Sequence, residues 1–166
     1  MKAPRIAATV VLAVGIVLGT AGCNLTAPQA TTKHYDASDG VSGSVGSIDV
    51  RNVIIVSDNG KVGNLVFTMV NNGNTAHLVT VQTGTGTDKA SKQVSVAAGA
   101  VQPFGGPDNR RVLIQNLNTQ PGSVFPVYFQ YGTKTGVRLL APVLDSSIPQ
   151  YADYSPSSAV ESIANQ

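Results

Sequence analysis

The amino-acid sequence predicts an all-β domain of the sandwich class, flanked by two tails. Short runs rich in Val, Ile, Thr, Tyr and Phe recur through the central part of the 166-residue chain, and these residues favour the half-buried surface of a sheet. Clusters of Gly, Asn and Pro, which are typical of turns, separate the runs. No window of about 11 residues in this part has the helical period of roughly 3.6 residues.

The first 22 residues have the pattern of a secretory signal. A cationic start with Lys2 and Arg5 precedes an apolar run over residues 6–18, and small residues follow the run, as before a cleavage site. The run is shorter than the stretch of about 20 apolar residues that a membrane-spanning helix needs. We therefore expect residues 1–22 to be removed, with an uncleaved membrane anchor as the alternative.

The single cysteine of the chain lies directly after this segment. Ala21-Gly22-Cys23 resembles the lipobox of bacterial lipoproteins, in which the cysteine is diacylated and becomes the mature N-terminus. Thr20 departs from the pattern, because that position usually carries leucine. Two acyl chains anchor a protein firmly to a membrane. We expect Cys23 to be the lipidation site and the mature protein to lie on the extracytoplasmic face of the cell membrane.

Two polar segments flank the predicted domain, which covers residues 48–144. Residues 23–47 and residues 145–166 are rich in Ser, Thr, Ala, Gly, Asn and Pro, a composition that buries too little apolar surface to become ordered. We expect the first to be a flexible tether and the second an extended tail. Tyr151 and Tyr154 stand out in the tail as aromatic residues in a polar setting.

Seven short strands are predicted between these tails. The second carries Leu65, Phe67 and Met69 at alternate positions, which places them on one face of a sheet. Seven strands in about 100 residues are typical of an immunoglobulin-like or cupredoxin-like sandwich. The predicted ranges are 48–56, 62–70, 77–82, 93–97, 111–117, 123–131 and 136–144.

The distribution of charge argues against nucleic-acid binding. Removal of residues 1–22 takes away two of the 11 basic residues and none of the nine acidic ones, so the mature chain is neutral. The longest basic run is Arg110-Arg111, whereas a nucleic-acid surface needs a basic stripe. The loop that holds these two arginines either forms exposed ion pairs, which are worth little, or contacts an acidic partner.

The sequence offers no pattern for catalysis or for a resident cofactor. It contains no Gly-x-Ser-x-Gly elbow, and Gly84-Thr85-Gly86-Thr87 is too short for a dinucleotide-binding loop. Asp36 and Asp39, with His34 nearby, could bind a metal weakly, but a flexible tether does not hold coordination geometry. We therefore expect no catalytic residue, no metal and no cofactor.

Six segments, taken in order, carry a resemblance to a known family. They are LVFTMVNNG at 65–73, HLVTV at 77–81, VSVAAG at 94–99, VLIQNL at 112–117, PGSVFPVYF at 121–129 and the run at 137–143. Their order resembles the bacterial periplasmic copper-chaperone domain called PCuAC and the actinobacterial lipoproteins of the LpqE type. The resemblance implies a copper-chaperone fold. Through lipoproteins of this kind it also implies a place as a peripheral subunit of the cytochrome bcc–aa3 respiratory supercomplex.

The copper ligands that the resemblance implies are missing. The family holds Cu(I) with His and Met, which are suited to that ion. The resemblance places one His and Met pair within 83–93 and a His-x-Met motif at 111–113. Neither segment of this chain contains His or Met. We therefore expect the copper site of the family to be absent.

Three functions remain open at the level of sequence. The first is a lipid-anchored, non-catalytic accessory module that docks on a membrane-protein complex through Tyr151, Tyr154, Arg110 and Arg111. The alternative is a copper-handling protein with a rearranged site built from Met69, His77 or His34, although the alternation makes Met69 a core residue. An enzyme of unrecognised type has least support, because the charged residues lie scattered in turns.

Overall fold

The computed structural model describes residues 36, 38–84, 86 and 89–156. Cys23 and His34 lie outside these residues, as does the whole predicted signal segment. The prediction of an all-β fold is confirmed, with nine strands where seven were expected. They are β1 (Val41–Val45), β2 (Ile48–Val56), β3 (Gly63–Asn71), β4 (His77–Thr83), β5 (Ala90–Val96), β6 (Val101–Phe104), β7 (Val112–Ile114), β8 (Val124–Gln130) and β9 (Val137–Leu144), followed by a 3-10 helix at Pro149–Tyr154.

The strands form a sandwich that is nearly closed into a barrel. Neighbouring strands follow the order β5-β4-β8-β9-β2-β3-β6, with β1 added on β2 and β7 added on β3. A short parallel pairing of β2 with β9, at Ile55–Val143 and Val56–Leu144, joins the two layers. The path ends at β5 on one side and at β6 and β7 on the other. Within the described residues no ladder joins β5 to β7, so the barrel has one open side.

The first strand lies within the segment that the sequence assigns to the tether. β1 pairs antiparallel with β2, and Val45 is 1% exposed. A Cβ atom on Gly43 would meet Leu139 Cδ2 at 2.9 Å, so only glycine allows β1 to approach β9 this closely. The expectation of a tether up to residue 47 is corrected: the folded domain already includes Val41.

The last described residues also differ from the expected extended tail. Residues 145–156 turn back onto the domain, and their 3-10 helix begins at Pro149. The amide of Ser146 donates to Asp58 Oδ1 at 3.0 Å. The predicted boundary at Leu144 therefore marks the end of a strand and not the end of the folded structure.

The core lies between the two layers and follows the predicted alternation. Leu65, Phe67 and Met69 on β3 are all at most 1% exposed. The ring of Phe67 stacks on Phe104 with centroids 4.8 Å apart and meets Phe129 edge-on at 5.4 Å. Burying a large apolar side chain in this way contributes about 1.5–3 kcal/mol. Among the described residues, no helix is long and apolar enough to cross a membrane.

Candidate functional site

A pocket lies at the open side of the barrel, between the edge strands β5 and β7. It has a volume of about 490 Å³, within the range of about 300–1,000 Å³ that small-molecule sites occupy. Three elements build it: the end of β4, the start of β5, and β7 with the two residues that follow. The lining residues are Val81, Thr83, Lys89, Ala90, Lys92, Val112, Leu113, Ile114, Gln115 and Asn116.

The register of β4 and β5 turns a lysine toward the inside of the barrel. Lys92 pairs with Val81, and Ala90 pairs with Thr83. Residues directly opposite each other in a ladder share one face of the sheet. Val81 is 1% exposed and belongs to the core, so Lys92 lies on the core-facing row of β5. It stays exposed to solvent because no strand covers this side.

The opposite wall of the pocket is apolar. Val112 and Ile114 on β7 are 3% and 4% exposed, and they pair with Leu65 and Gly63 on β3. The wall ends at Asn116, whose φ of 58° lies in the left-handed region that asparagine tolerates better than most residues. The pocket therefore combines an apolar side with a cationic and hydroxyl-bearing side.

This pocket is where the two segments that the resemblance marks as ligand-bearing meet. Residues 83–93 supply the β4 and β5 side, and residues 111–113 supply part of the β7 side. The described residues of the lining include two lysines and no His, Met or Cys. Among the described residues, no group of three or more His, Cys, Asp or Glu side chains is placed to hold a metal ion.

The other copper candidates lie apart from this pocket. Met69 is fully buried in the core. His77 begins β4, where its ring lies 4.3 Å from that of Tyr131 and its Nε2 lies 3.2 Å from Thr75 Oγ1. Asp39 accepts a hydrogen bond from Tyr151. His34, the third candidate of the alternative site, is outside the described residues.

A second polar region lies on the outer side of the β3–β7 pair, where the C-terminal segment docks. Asn64 is fully buried, and its Nδ2 donates to the carbonyl of Gly105 at 2.7 Å and to that of Tyr154 at 2.9 Å. Its Oδ1 is buried without a hydrogen-bond partner. A Cβ on Gly105 would clash with the carbonyl oxygen of Leu65, which explains glycine at this close approach.

Arg111 holds the same segment from its place just before β7. Its guanidinium donates to the carbonyl of Ser155 at 3.1 Å and to that of Asp153 at 3.0 Å. Ser155 also donates from its hydroxyl to Asp58. The segment is thus bound largely through its backbone.

Hydrogen bonds at this docked segment shift two pKa values. Burial would raise the pKa of Asp58, but the hydrogen bonds from Ser155 and Ser146 outweigh it and hold that pKa below its ordinary value. Burial raises the pKa of Tyr151 to about 12, and the hydrogen bond to Asp39 together with the charge of that carboxylate adds to the rise. The neutral phenol of Tyr151 and the ionised carboxylate of Asp58 are therefore the forms that fit the docked segment.

The structure brings together three of the four residues that the sequence assigns to partner binding. Tyr151 and Tyr154 lie edge-to-face with centroids 6.2 Å apart, next to the carbonyls that Arg111 holds. Arg110 is exposed in the loop between β6 and β7. In this loop the amide of Gly105 donates to the carbonyl of Arg110 at 3.0 Å. Arg111, Tyr151 and Tyr154 are the three residues that lie together. We call the two half-exposed tyrosines, with the exposed Arg110 that precedes Arg111 in the chain, the C-terminal face.

Sequence reasoning missed Lys92, Thr83 and Asn64. The predicted fourth strand begins at residue 93, whereas β5 begins at Ala90. The sequence therefore places Lys92 in a loop, where the face of the sheet that its side chain occupies cannot be assigned. The usable signal was the alternation of Ala90, Lys92, Val94 and Val96, in which one cation interrupts an apolar row.

Comparison with known proteins supports the fold. No family model matches the chain, and the comparison with curated proteins found no match. A solved structure described as the copper-bound PCuAC domain from PmoF2 is similar, with a TM-score of 0.50 and 13% identity over 63% of this chain and 98% of that chain. A second, described as the apo PCuAC domain from PmoF1, has a TM-score of 0.48 and 16% identity over 62% of this chain and 98% of that chain. At such identity the first likeness concerns the fold alone, and it shows that the described domain has a PCuAC-like fold.

Proposed function

We propose that this protein is a lipid-anchored, non-catalytic interaction module on the outer face of the cytoplasmic membrane. The observation that carries the proposal is the way Arg111 fixes the C-terminal segment. Its hydrogen bonds to the carbonyls of Asp153 and Ser155 hold two tyrosines on a folded surface instead of on an extended tail. A preordered aromatic surface loses little conformational entropy on binding.

The composition of the C-terminal face suits protein binding. Arg and Tyr are enriched among the residues that dominate interface energies. Arg110 is exposed, and Tyr151 and Tyr154 are half-exposed. The face therefore offers aromatic area and one cation, which is typical of an interface that fits a defined partner.

The anchor and the class of partner rest on the sequence. Cys23 in its lipobox-like context would place the domain next to the membrane through two acyl chains. A membrane-protein complex is the partner that such a position favours. The narrower proposal, an accessory subunit of an actinobacterial cytochrome bcc–aa3 supercomplex, is supported by the resemblance to LpqE-type lipoproteins and by no contact in the structure.

The test is recovery of partners from native membranes in mild detergent with the tagged full chain. We expect co-purified membrane proteins, with haem-containing respiratory subunits among them, and their loss with Cys23→Ala. Tyr154→Ala combined with Arg110→Glu should weaken recovery. Tyr128→Ala, a half-exposed tyrosine on β8, is the matched control and should leave recovery unchanged. Equal recovery by the double variant would refute the C-terminal face as the docking surface.

A copper-handling function is the second candidate, and the PCuAC-like fold favours it. Its ligands would have to include His77 and His34, because Met69 is fully buried and cannot reach an ion in solvent without opening the core. Anaerobic Cu(I) titration of the full chain against a competing chelator tests it. Binding tighter than micromolar that His77→Ala abolishes would establish this candidate, and weaker binding would remove it.

A further inference from the structure

We propose that the pocket between β5 and β7 binds a small organic anion, whose charged group contacts Lys92 and Thr83 and whose hydrocarbon part packs on Val112 and Ile114. The proposal is independent of the docking role assigned to the C-terminal face. It begins from an anomaly in the fold. The core-facing row of β5 runs Val96, Val94 and then Lys92, so a cation occupies a position where the pattern requires an apolar residue.

Two polar groups in this pocket have no side-chain partner among the residues that the structure describes. In the part of the chain that the structure describes, neither the Lys92 ammonium nor the Thr83 hydroxyl makes a hydrogen bond or ion pair with another side chain. Thr83 is 7% exposed, and its hydroxyl is not among the described polar atoms that are sealed from solvent without a partner, so it is open to the pocket. Lysine offers three donors and no acceptor. Both groups can therefore donate to one anionic oxygen cluster.

The charge of the lining selects the ligand. Among the residues that the structure describes, Lys89 and Lys92 are the two ionised residues of the lining, and no Asp or Glu is among them. Gln115 and Asn116 add amide donors at the rim. A carboxylate or a phosphate would complement this set, whereas an organic cation would meet two like charges.

The apolar wall distinguishes an organic anion from an inorganic one. The pocket is lined by Val81, Val112 and Ile114. Contact with these side chains would stabilise the binding of a ligand that has a hydrocarbon part. The volume of about 490 Å³ is large for one phosphate ion and fits a compact carboxylate of drug-like size or less.

A purely structural role for Lys92 makes a different prediction. Charged residues turned inward on an edge strand also prevent edge-to-edge association, and β5 is such a strand. In that case Lys92 would control self-association and would not affect ligand binding. The two roles are separable because they predict different responses to the same substitution.

The experiment uses fluorine NMR on the full chain in non-ionic detergent, with detergent alone as the blank. The probes are para-fluorobenzoate and, as its cationic counterpart, para-fluorobenzamidine. We expect the benzoate to bind and the benzamidine not to bind. Lys92→Gln should weaken benzoate binding about tenfold, the change expected for a hydrogen bond to a charged group. Lys134→Gln, in the exposed turn between β8 and β9, is the matched control and should have no effect.

Further outcomes decide the proposal. Lys92→Glu should reverse the preference toward the benzamidine, and Thr83→Val should weaken benzoate binding severalfold while circular dichroism remains unchanged. Equal binding of the two probes, no benzoate binding at millimolar concentration, or displacement by inorganic phosphate as effectively as by unlabelled benzoate would overturn it. So would unchanged binding by Lys92→Gln together with new self-association, which would leave edge protection as the role of this lysine.

Discussion

Polar groups lie on both sides of the β3–β7 pair, and they differ in whether they have a partner in the part of the protein that the structure describes. On the outer side, Asn64 and Arg111 donate to backbone carbonyls of the C-terminal segment. On the inner side, Lys92 and Thr83 face a pocket without partners in the described residues. The two regions lie on opposite faces of β3, because Asn64 faces the outer side and the next residue, Leu65, faces the inner side.

The difference indicates which polar residues hold the fold and which are available for a ligand. A buried donor that finds a carbonyl of its own chain stabilises the native state, and its loss leaves that carbonyl unpaired. A donor that has no partner in the described protein and is open to solvent contributes little to folding. Substitutions on the two sides of the β3–β7 pair test this division.

The largest effect is expected at Asn64. Asn64→Asp replaces the buried Nδ2 donor with an anionic oxygen that faces two carbonyls, so the free energy of unfolding should fall by about 4 kcal/mol. Urea denaturation followed by circular dichroism measures the change. Asn74→Asp, on an exposed turn, is the control and should change stability by less than about 0.5 kcal/mol. Similar effects of the two variants would mean that Asn64 is not sealed by the C-terminal segment.

The second largest loss of stability is expected on substitution of Arg111, with its neighbour Arg110 as the matched control. Arg111→Ala removes two charge-assisted hydrogen bonds and should lower the free energy of unfolding by about 1.5 kcal/mol, whereas Arg110→Ala should have almost no effect. Hydrogen exchange adds a local reading: the amide of Tyr151, which donates to Ile148 O at 2.9 Å, should exchange faster in the first variant only. Equal exchange in both variants would contradict a docked segment held by Arg111.

Substitutions in the pocket should have a smaller effect on folding than those on the outer side. Lys92→Gln and Thr83→Val remove groups without partners, so each should change the free energy of unfolding by less than about 0.5 kcal/mol. The same urea experiment measures them. A loss comparable to that of Arg111→Ala would show that the pocket side also holds the fold, and the division between the two regions would fail.

Acid should release the docked segment through Asp58. Its pKa is lowered in the folded protein because the hydrogen bonds from Ser155 and Ser146 outweigh the effect of burial. Its contribution to stability is therefore complete above the unfolded pKa of about 3.9 and is lost as the pH falls through the lower folded value. Melting temperatures of the native protein and of Asp58→Asn, measured from neutral pH into that acidic range, should converge. Parallel curves would exclude the carboxylate as the acid-sensitive group.

The smallest effect under ordinary conditions concerns Tyr151. Its pKa of about 12 lies above the ordinary value of 10.0, so the neutral phenol is favoured by folding. That contribution is present below about pH 10 and is lost as the pH rises through the folded value. Absorbance titration should show one tyrosine that ionises late, and Tyr151→Phe should remove it. Late ionisation that persists in Tyr151→Phe would assign it to another tyrosine.

Some elements could be predicted from residues alone because their pattern is local. The alternation of Leu65, Phe67 and Met69 predicts the buried row of β3, which the structure confirms. β1 was missed because its Ser-Gly-Ser centre has low strand propensity, and its pairing with β2 compensates for that. β6 is four residues long and contains Pro103, so it gives too little periodic signal.

The sites were harder to predict because they depend on contacts that are distant in sequence. Asn64 lies in a predicted strand, but its partner carbonyl at Tyr154 is 90 residues away. Tyr151 and Tyr154 stand out in the sequence as aromatic residues in a polar tail, but the contacts of their segment with Asn64 and Arg111 appear only in the structure. Their role in partner binding stays a prediction, as does the lipidation of Cys23.

The sequence by itself determined that this chain forms short, alternating strands around an aliphatic and aromatic core, since the period of apolar residues is a local property. It also determined that the segments 83–93 and 111–113 contain no His or Met. Only the tertiary structure decided that these segments face each other across an open side of the barrel, and that a lysine turns inward there. Strand register decides this, because shifting a strand by one residue moves every side chain to the opposite face.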